Sequence, residues 1–389
     1  NNVNCINNME ENVPYVVESL KQLMIAEKCV GIFRFFYVKG NLTAPSLTAK
    51  LYTSCVLFII IITYSVEVIK LFYSPFFFNG IQFDLINIVP SIFMAVQFVI
   101  SMVVPYIFTE NNILLIKNIS KIDILLDFSN DCYKKFKRNN IINLCTFILI
   151  YILSMMFEFY YNQKLPIIII CMSVIAFEQK FQILIFCTYV NMLIKRIKIL
   201  NYHFKKNTNN NMKKINNSVI YYVERQVAKG AKIKTLSIAY NLIGESIYLI
   251  NTIFENIIFL TLISSFTYII ISIWTYIYYY RVLKNSKILI LVLYWSCNEL
   301  FYLVLISYMC EKVLTIRNRT KILVNDIIMD YDLPNVTRIQ AKTLLEVVEA
   351  WPLNIVTYGM FEVNIKLILK FISISTTYLI FLVQVSHFV

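Results

Sequence analysis

Long apolar stretches alternate with segments that contain charged side chains along the 389 residues of the chain. The apolar stretches cover residues 51–71, 83–108, 141–161, 165–194, 247–277, 288–309 and 365–389. Each stretch is long enough to cross roughly 30 Å of hydrocarbon as a helix. Because 58% of all residues are hydrophobic and only 15% are charged, the chain is more apolar than a soluble domain of this length. The pattern predicts an all-α membrane protein with seven transmembrane helices.

Lysine and arginine concentrate in alternate segments, which lie before the first stretch and after the second, fourth and sixth. The remaining segments carry only Lys70, Lys164 and the group Arg281, Lys284 and Lys287. By the positive-inside rule the N-terminus is cytoplasmic and, after seven crossings, the C-terminus is extracellular. The net charge of +13 therefore reports topology, and it predicts contacts with anionic inner-leaflet lipids but no nucleic-acid partner.

Between the apolar stretches the spacing predicts further helices on the cytoplasmic side, over residues 14–36, 189–204, 215–243 and 336–350. The first is amphipathic and is expected to lie against the inner membrane surface, and the last has Thr337 as its expected N-cap. Residues 207–217 are rich in Asn and Lys, which predicts a disordered loop tip. The predicted units are a cytoplasmic N-terminal segment (1–50), spans one to four (51–194), a cytoplasmic linker (195–246), spans five and six (247–309), a cytoplasmic helical region (310–364) and span seven (365–389).

Catalytic chemistry finds little support in the sequence. The two histidines, His203 and His387, fall in different segments, and the six glycines form no phosphate-binding loop. We therefore predict no enzyme activity, no catalytic residues, no cofactor and no metal site. Ionisable residues inside the apolar stretches are more informative, because hydrocarbon tolerates them only when they face protein or water. They are Glu67, Glu158, Glu178, Lys180, Glu255 and Glu299, and each is either a functional-site candidate or a structural partner of Lys180 or a tyrosine hydroxyl.

The outer half of the predicted bundle combines aromatic rings with a few polar groups, as a small-molecule cavity requires. The candidate ligand-binding residues are Glu158, Tyr160 and Tyr161 in span three, Tyr268 and Trp274 in span five, and Trp295, Asn298, Glu299 and Tyr302 in span six. The four in span six share one helical face. Such a cavity suits a sugar, or a cationic alkaloid held by cation–π contact. Trp274 and the tyrosines that follow it also fit an interfacial aromatic belt.

The last apolar stretch carries a polar stripe. Ser373, Thr377 and Gln384 share one face, because seven positions make almost two helical turns. Two interpretations stay open on spacing alone, namely a pore wall and a contact between helices made with small and amide side chains.

Residues 377–384 consist of a Thr-Tyr pair, five hydrophobic residues and Gln384. This arrangement resembles the C-terminal signature of insect gustatory receptors, and the approach over residues 358–364 is similar to the family's as well. One departure is Val385, since the family often has an aromatic residue directly after the glutamine. Specific motif matching covers about thirty residues, and the rest of the chain resembles the family only in length and in the layout of its spans.

The resemblance implies a tastant-gated, non-selective cation channel in the plasma membrane of a sensory dendrite, built as a homo- or hetero-tetramer. It also implies that the inner helical extensions pack as an anchor domain between subunits. The expected pore and gate residues are Ser373, Thr377, Tyr378, Phe381, Gln384, Val385 and Phe388. Because Val385 is small, Phe381 or Phe388 is expected to share the closing of the pore. The expected partners are a sugar or bitter compound, permeating cations and membrane lipids.

Three alternatives remain beside this interpretation. A G-protein-coupled receptor would need the opposite topology. A secondary transporter would need spans broken by Gly or Pro at matching places in two halves, whereas Pro90 and Pro105 have no such counterpart. An odorant receptor shares the channel fold and is disfavoured by the spacing from the Thr-Tyr pair to the glutamine.

Overall fold

The structure is a computed structural model, and it describes residues 12–72, 81–162, 167–209, 219–278 and 286–387. Helices dominate these ranges, with two short antiparallel hairpins between them. The elements are α1 (Val13–Val30), β1 (Phe36–Val38), β2 (Asn41–Thr43), α2 (Leu47–Phe72), α3 (Ile81–Ile107), α4 (Thr109–Leu125), α5 (Asn130–Asn162), α6 (Ile167–Asn209), α7 (Val219–Tyr278), α8 (Ser286–Met329), α9 (Asn335–Ala350), β3 (Val356–Thr357), β4 (Phe361–Glu362) and α10 (Ile365–His387).

Every predicted apolar stretch falls on a helix, namely α2, α3, α5, α6, α7, α8 and α10. By length and composition, four helices of the described ranges can cross a membrane, or five if α3 and α4 together form one bent span. The mostly helical, membrane-type fold is therefore confirmed, while the count of seven spans stays a prediction. Of the apolar part of each helix that could cross the membrane, 17% is buried in α2 and 17% in α5. In α6 the buried share is 72%. Helix α6 thus forms the centre of the bundle.

The charged segment after the second span is helical, although no helix is predicted there. Residues 109–125 form α4, which turns away from the end of α3 by 64°. Its apolar side chains Leu115, Ile116, Ile119 and Ile122 are fully buried. They follow helical spacing, and packing of that face stabilises a helix which the interspersed Lys117 and Lys121 obscured in the sequence.

The N-terminal helix is shorter than predicted and its apolar face has a different neighbour. α1 ends at Val30, because Gly31 adopts the left-handed conformation (φ +94°) and the chain then turns into the β1–β2 hairpin. The buried residues Val16, Leu20 and Leu23 belong to the main core and pack with α4 and α5. The predicted end at residue 36 is therefore wrong, and the apolar face contacts protein instead of the membrane surface.

On the predicted cytoplasmic side, α6 and α9 extend beyond their predicted bounds. α6 continues to Asn209 and α7 begins at Val219, so most of the predicted disordered tip lies outside the described residues. α9 ends before Pro352, as predicted, but Thr337 is not its N-cap. Pro334 occupies that position, and Thr337 is buried in the first turn with its backbone N–H donating to the Pro334 carbonyl at 3.0 Å.

The C-terminal end of α9 is fixed against α7 by a tryptophan. Trp351 Nε1 donates to Asn241 Oδ1 at 2.8 Å, and the indole lies directly over Gly244. A Cβ atom on Gly244 would approach the ring to 2.4 Å, so only glycine permits this contact. Toward α8, Lys321 Nζ lies 2.8 Å from Glu349 Oε1, and the ammonium group holds the pKa of Glu349 below its usual value.

Candidate functional site

A band of polar residues interrupts the most buried helix of the bundle. Glu178, Gln179, Lys180 and Gln182 occupy little more than one turn of α6, and all four are buried. Because successive positions point in different directions, each side chain meets a different neighbour. The partners come from α3, α7, α8 and the segment between α1 and β1.

One contact of the band is a buried ion pair. Lys180 Nζ contacts Glu299 Oε1 on α8, and the two side chains are only 3% and 7% exposed. Ser265 Oγ on α7 donates to the second carboxylate oxygen at 3.1 Å. The ammonium group also lies 4.8 Å from the centroid of the Tyr302 ring. A buried charge pair with these additional partners connects three helices, α6, α7 and α8.

Amides and hydroxyls complete the contact between α6, α3 and α7. Gln179 Nε2 donates to Gln97 Oε1 at 2.9 Å and to Ser264 Oγ at 3.2 Å. Gln97 Nε2 in turn donates to Thr261 Oγ1 at 2.7 Å. These neutral hydrogen bonds hold the three helices in register where apolar packing alone would permit sliding.

The other two members of the band face α3 and the N-terminal part of the chain. The Ser101 hydroxyl on α3 donates to the Glu178 carboxylate. Arg34, which is buried between α1 and β1, donates from Nη2 to Gln182 Oε1 at 2.5 Å and from Nε to Glu27 Oε1 at 2.6 Å. A cationic side chain from outside the spans is thus fixed to the centre of the bundle.

The predicted ligand residues on α8 separate into two groups. Glu299 and Tyr302 are buried and contact Lys180, which is the structural pairing that the sequence left open. Trp295 and Asn298 are half-buried; Trp295 lies one turn from Glu299 toward the predicted outer end, and Asn298 directly precedes Glu299. Near Trp295, the Tyr294 ring lies 4.6 Å from the Phe157 ring of α5, measured between centroids.

The remaining ligand candidates are exposed, half-buried or outside the described residues. Tyr160 is 77% exposed, and Tyr268 is half-buried. The side chains of Glu158, Tyr161 and Trp274 lie outside the described residues, as does that of Glu67. Glu255 accepts a hydrogen bond from the backbone N–H of Tyr358, so it orders the β3–β4 hairpin. Among the described residues, no three His, Cys, Asp or Glu side chains come together as a metal site would require.

Helix α10 exposes the predicted polar stripe. Ser373, Thr377 and Gln384 are all exposed, whereas Phe371 and Ser375, on the opposite face, are buried. The Thr377 hydroxyl donates to the Ser373 carbonyl at 3.0 Å, so its hydrogen bond is satisfied within the helix.

The expected gate residues surround this stripe. Tyr378 and Phe381 are exposed as well, and Phe381 is 60% accessible. The Val385 side chain and Phe388 lie outside the described residues. Only one side of α10 is therefore covered by its own chain over the described part of the helix.

The sequence did not single out Gln97, Ser101, Arg34 or the two glutamines of α6. The signal that was present is the spacing of four between Gln97 and Ser101, which places two polar groups on one face of an apolar helix. Their partners lie on other helices and are not visible in the spacing of α3.

The family model described as 7tm chemosensory receptor matches residues 24–386. The chain therefore belongs to the 7tm chemosensory receptor family, as the C-terminal motif predicted. No curated protein matches the chain.

Two solved structures of the insect olfactory receptor OR5 from Machilis hrabei are similar to this chain. The structure in complex with eugenol gives a TM-score of 0.65 at 12% identity, and the other gives 0.65 at 11%. Each comparison covers 96% of this chain and 100% of the receptor chain. At this identity the likeness shows the fold alone, which is that of an insect chemosensory receptor.

Proposed function

We propose that the chain is a gustatory receptor subunit, which assembles as a tetramer of identical or related subunits into a tastant-gated, non-selective cation channel. The observation that carries the proposal is the exposed face of α10, where Ser373, Thr377 and Gln384 form a polar stripe opposite the buried Phe371 and Ser375. This stripe belongs to the Thr-Tyr to Gln motif that resembles gustatory receptors.

The physical reason is the cost of polar groups in lipid. A glutamine amide facing hydrocarbon loses hydrogen bonds that water would supply, so the exposed face of α10 needs water or polar protein. Four copies around a symmetry axis would turn each stripe toward a common aqueous path and each Phe371 toward its own subunit. Phe381, which is exposed beside the stripe, would then supply the apolar constriction that closes by dewetting.

The ligand site follows from the same bundle. Trp295 is half-buried one turn above Glu299, and Asn298 is half-buried directly beside it in sequence, so a small molecule entering from outside would meet an aromatic ring and then an amide. The ion pair connects α8 to α6 and α7, and α7 contacts α10 through the Phe266 and Phe371 rings, whose centroids are 5.1 Å apart. A ligand that shifts α8 would act on the pore helix through these contacts.

The experiment is a current measurement in cells that express the chain, with a panel of sugars, bitter alkaloids and volatile phenols. A sugar or an alkaloid should evoke a cation current, and Gln384→Ala should change its ion selectivity or open probability with little effect on the half-maximal ligand concentration. Ser375→Ala is the matched control, because it removes a polar group from the buried face of the same helix. Currents that neither variant alters would remove α10 from the pore.

An odorant-gated channel is the second candidate. It is favoured by one observation, the similarity in fold to an olfactory receptor that was solved with eugenol. A response of the expressed chain to volatile phenols alone, with none to sugars or alkaloids, would select this candidate over the gustatory one.

A further inference from the structure

A groove lies between α7 and the start of α10, beside the β3–β4 hairpin. Its volume is about 530 Å³, within the roughly 300–1,000 Å³ of small-molecule sites. The walls are mainly apolar and include Phe259, Leu262 and Phe266 of α7 together with Phe371 and Ile374 of α10. Such a surface binds a hydrocarbon group in preference to a polar solute.

Charge is confined to one end of this groove. Lys366 and Lys370 line it, and both are exposed. Their spacing of four places the two ammonium groups on neighbouring turns of one helix face. Over the described ranges of the chain, neither lysine makes an ion pair. Glu362 lies at the same end, so the local charge is positive but partly balanced.

The position of the lysines along the membrane follows from the topology. The positive-inside rule places the beginning of α10 at the cytoplasmic surface, so Lys366 and Lys370 lie at the depth of the inner headgroups. The apolar walls extend from there to Ile374, which lies about one turn beyond Lys370 along α10 and toward the hydrocarbon. Cationic side chains at the headgroup and an apolar groove leading into the acyl region match the two halves of one phospholipid.

We propose that this groove binds an anionic phospholipid of the inner leaflet. Its phosphate lies between Lys366 and Lys370, and one acyl chain packs along Phe259, Phe266 and Ile374. Any amine of the headgroup can face Glu362.

The proposed function gives this lipid a further role. Lys366 and Lys370 fall on the same side of α10 as Ser373 and Thr377, by helical periodicity. In a tetramer whose α10 helices line a cation path, eight ammonium groups would lie near the inner end of that path and would repel cations. Bound phosphate would compensate this charge. This consequence rests on the proposed function, whereas the binding site itself does not.

The test uses the purified full-length protein in vesicles that contain a phosphatidylserine with a photoactivatable acyl chain. Mass spectrometry should place the adducts on the segments around Phe266 and Ile374, and unlabelled phosphatidylserine should compete far better than phosphatidylcholine. Lys366→Gln combined with Lys370→Gln should lower the labelling about tenfold or more, since each basic residue near the surface contributes to binding of anionic lipid. Lys50→Gln is the matched control, because Lys50 is exposed at the cytoplasmic start of α2.

A second variant keeps the lysines and fills the groove. Ile374→Trp should abolish labelling at Phe266 while the protein elutes at an unchanged size. Equal labelling by phosphatidylserine and phosphatidylcholine would overturn the proposal, and so would labelling that neither variant reduces. Cross-links between subunits at the groove in place of lipid adducts would show that a second copy covers it. None of these readouts needs a current, so they stand apart from the test of channel function.

Discussion

Glu299 is predicted both as a ligand contact and as half of a buried ion pair, and its replacement separates the two roles. Glu299→Ala leaves the Lys180 ammonium group in a site where its side chain is only 3% exposed. Removing one partner of a buried pair typically costs about 3–5 kcal/mol, because the remaining charge keeps its desolvation penalty without compensation. We therefore expect Glu299→Ala to lower the stability of the folded receptor by about 3 kcal/mol.

The double variant Lys180→Met with Glu299→Met is the decisive comparison. It removes both charges and keeps side chains of similar length. It should therefore recover most of the stability that Glu299→Ala loses. Ser265 would still lose its acceptor, which accounts for a residual cost of about 1 kcal/mol.

The assay is thermal unfolding of the purified protein, followed by intrinsic fluorescence and by the fraction that elutes as a single species. With an unfolding entropy of about 2.1 cal/mol/K per residue, 3 kcal/mol corresponds for a chain of 389 residues to a decrease in Tm of roughly 4 °C. Asp326→Ala is the matched control, because Asp326 is an exposed carboxylate of the same helix, and its effect should stay within about 0.5 kcal/mol.

Two results would show that the Lys180–Glu299 pair does not stabilise the fold as proposed. The first is a Glu299→Ala protein that is as stable as the parent chain, which would mean that Lys180 finds water or another partner. The second is a double variant that is no more stable than the Glu299→Ala protein. A raised half-maximal ligand concentration at unchanged Tm would instead assign Glu299 to direct ligand contact.

Three further predictions concern the contact of α9 with α7, the topology and the ligand site. Gly244→Ala should separate Trp351 from α7 and lower Tm, because the added Cβ would approach the indole to 2.4 Å, and an unchanged Tm would show that α9 shifts freely. A tag at the C-terminus should be reached by antibody on intact cells and a tag at the N-terminus only after permeabilisation, whereas the reverse pattern would support a G-protein-coupled topology. Trp295→Ala and Asn298→Ala should each raise the half-maximal ligand concentration roughly tenfold with normal surface expression, and unchanged responses in both would place the ligand elsewhere.

Much of the helical layout was predictable, because long uncharged runs have few alternatives to a helix in hydrocarbon. The apolar stretches therefore coincide with helices even where the bounds differ. α4 was missed for a definite reason. Its buried residues Leu115, Ile116 and Ile119 lie on the same helix as Lys117 and Lys121. In a window of such mixed polarity, the two lysines favoured the interpretation as a charged loop.

The polar band of α6 could be predicted only in part. Glu178, Lys180 and Glu299 stood out because ionisable residues are rare in spans, and the pairing of Lys180 with a glutamate was one of the open alternatives. Gln97 and Gln179 did not stand out, since a neutral amide in a span is less unusual. They are 82 positions apart, and only the packing of α3 against α6 reveals that they are partners.

The proposed position of α10 along an aqueous pore can be tested by cysteine accessibility. Thr377→Cys and Gln384→Cys should react with a membrane-impermeant thiol reagent while the activating compound from the panel is present, and the reaction should change the current. Ser375→Cys, on the buried face, should not react, and the parent chain controls for its own thiols. Equal reaction on both faces, or a current that none of the three modified positions alters, would show that α10 does not line the pore.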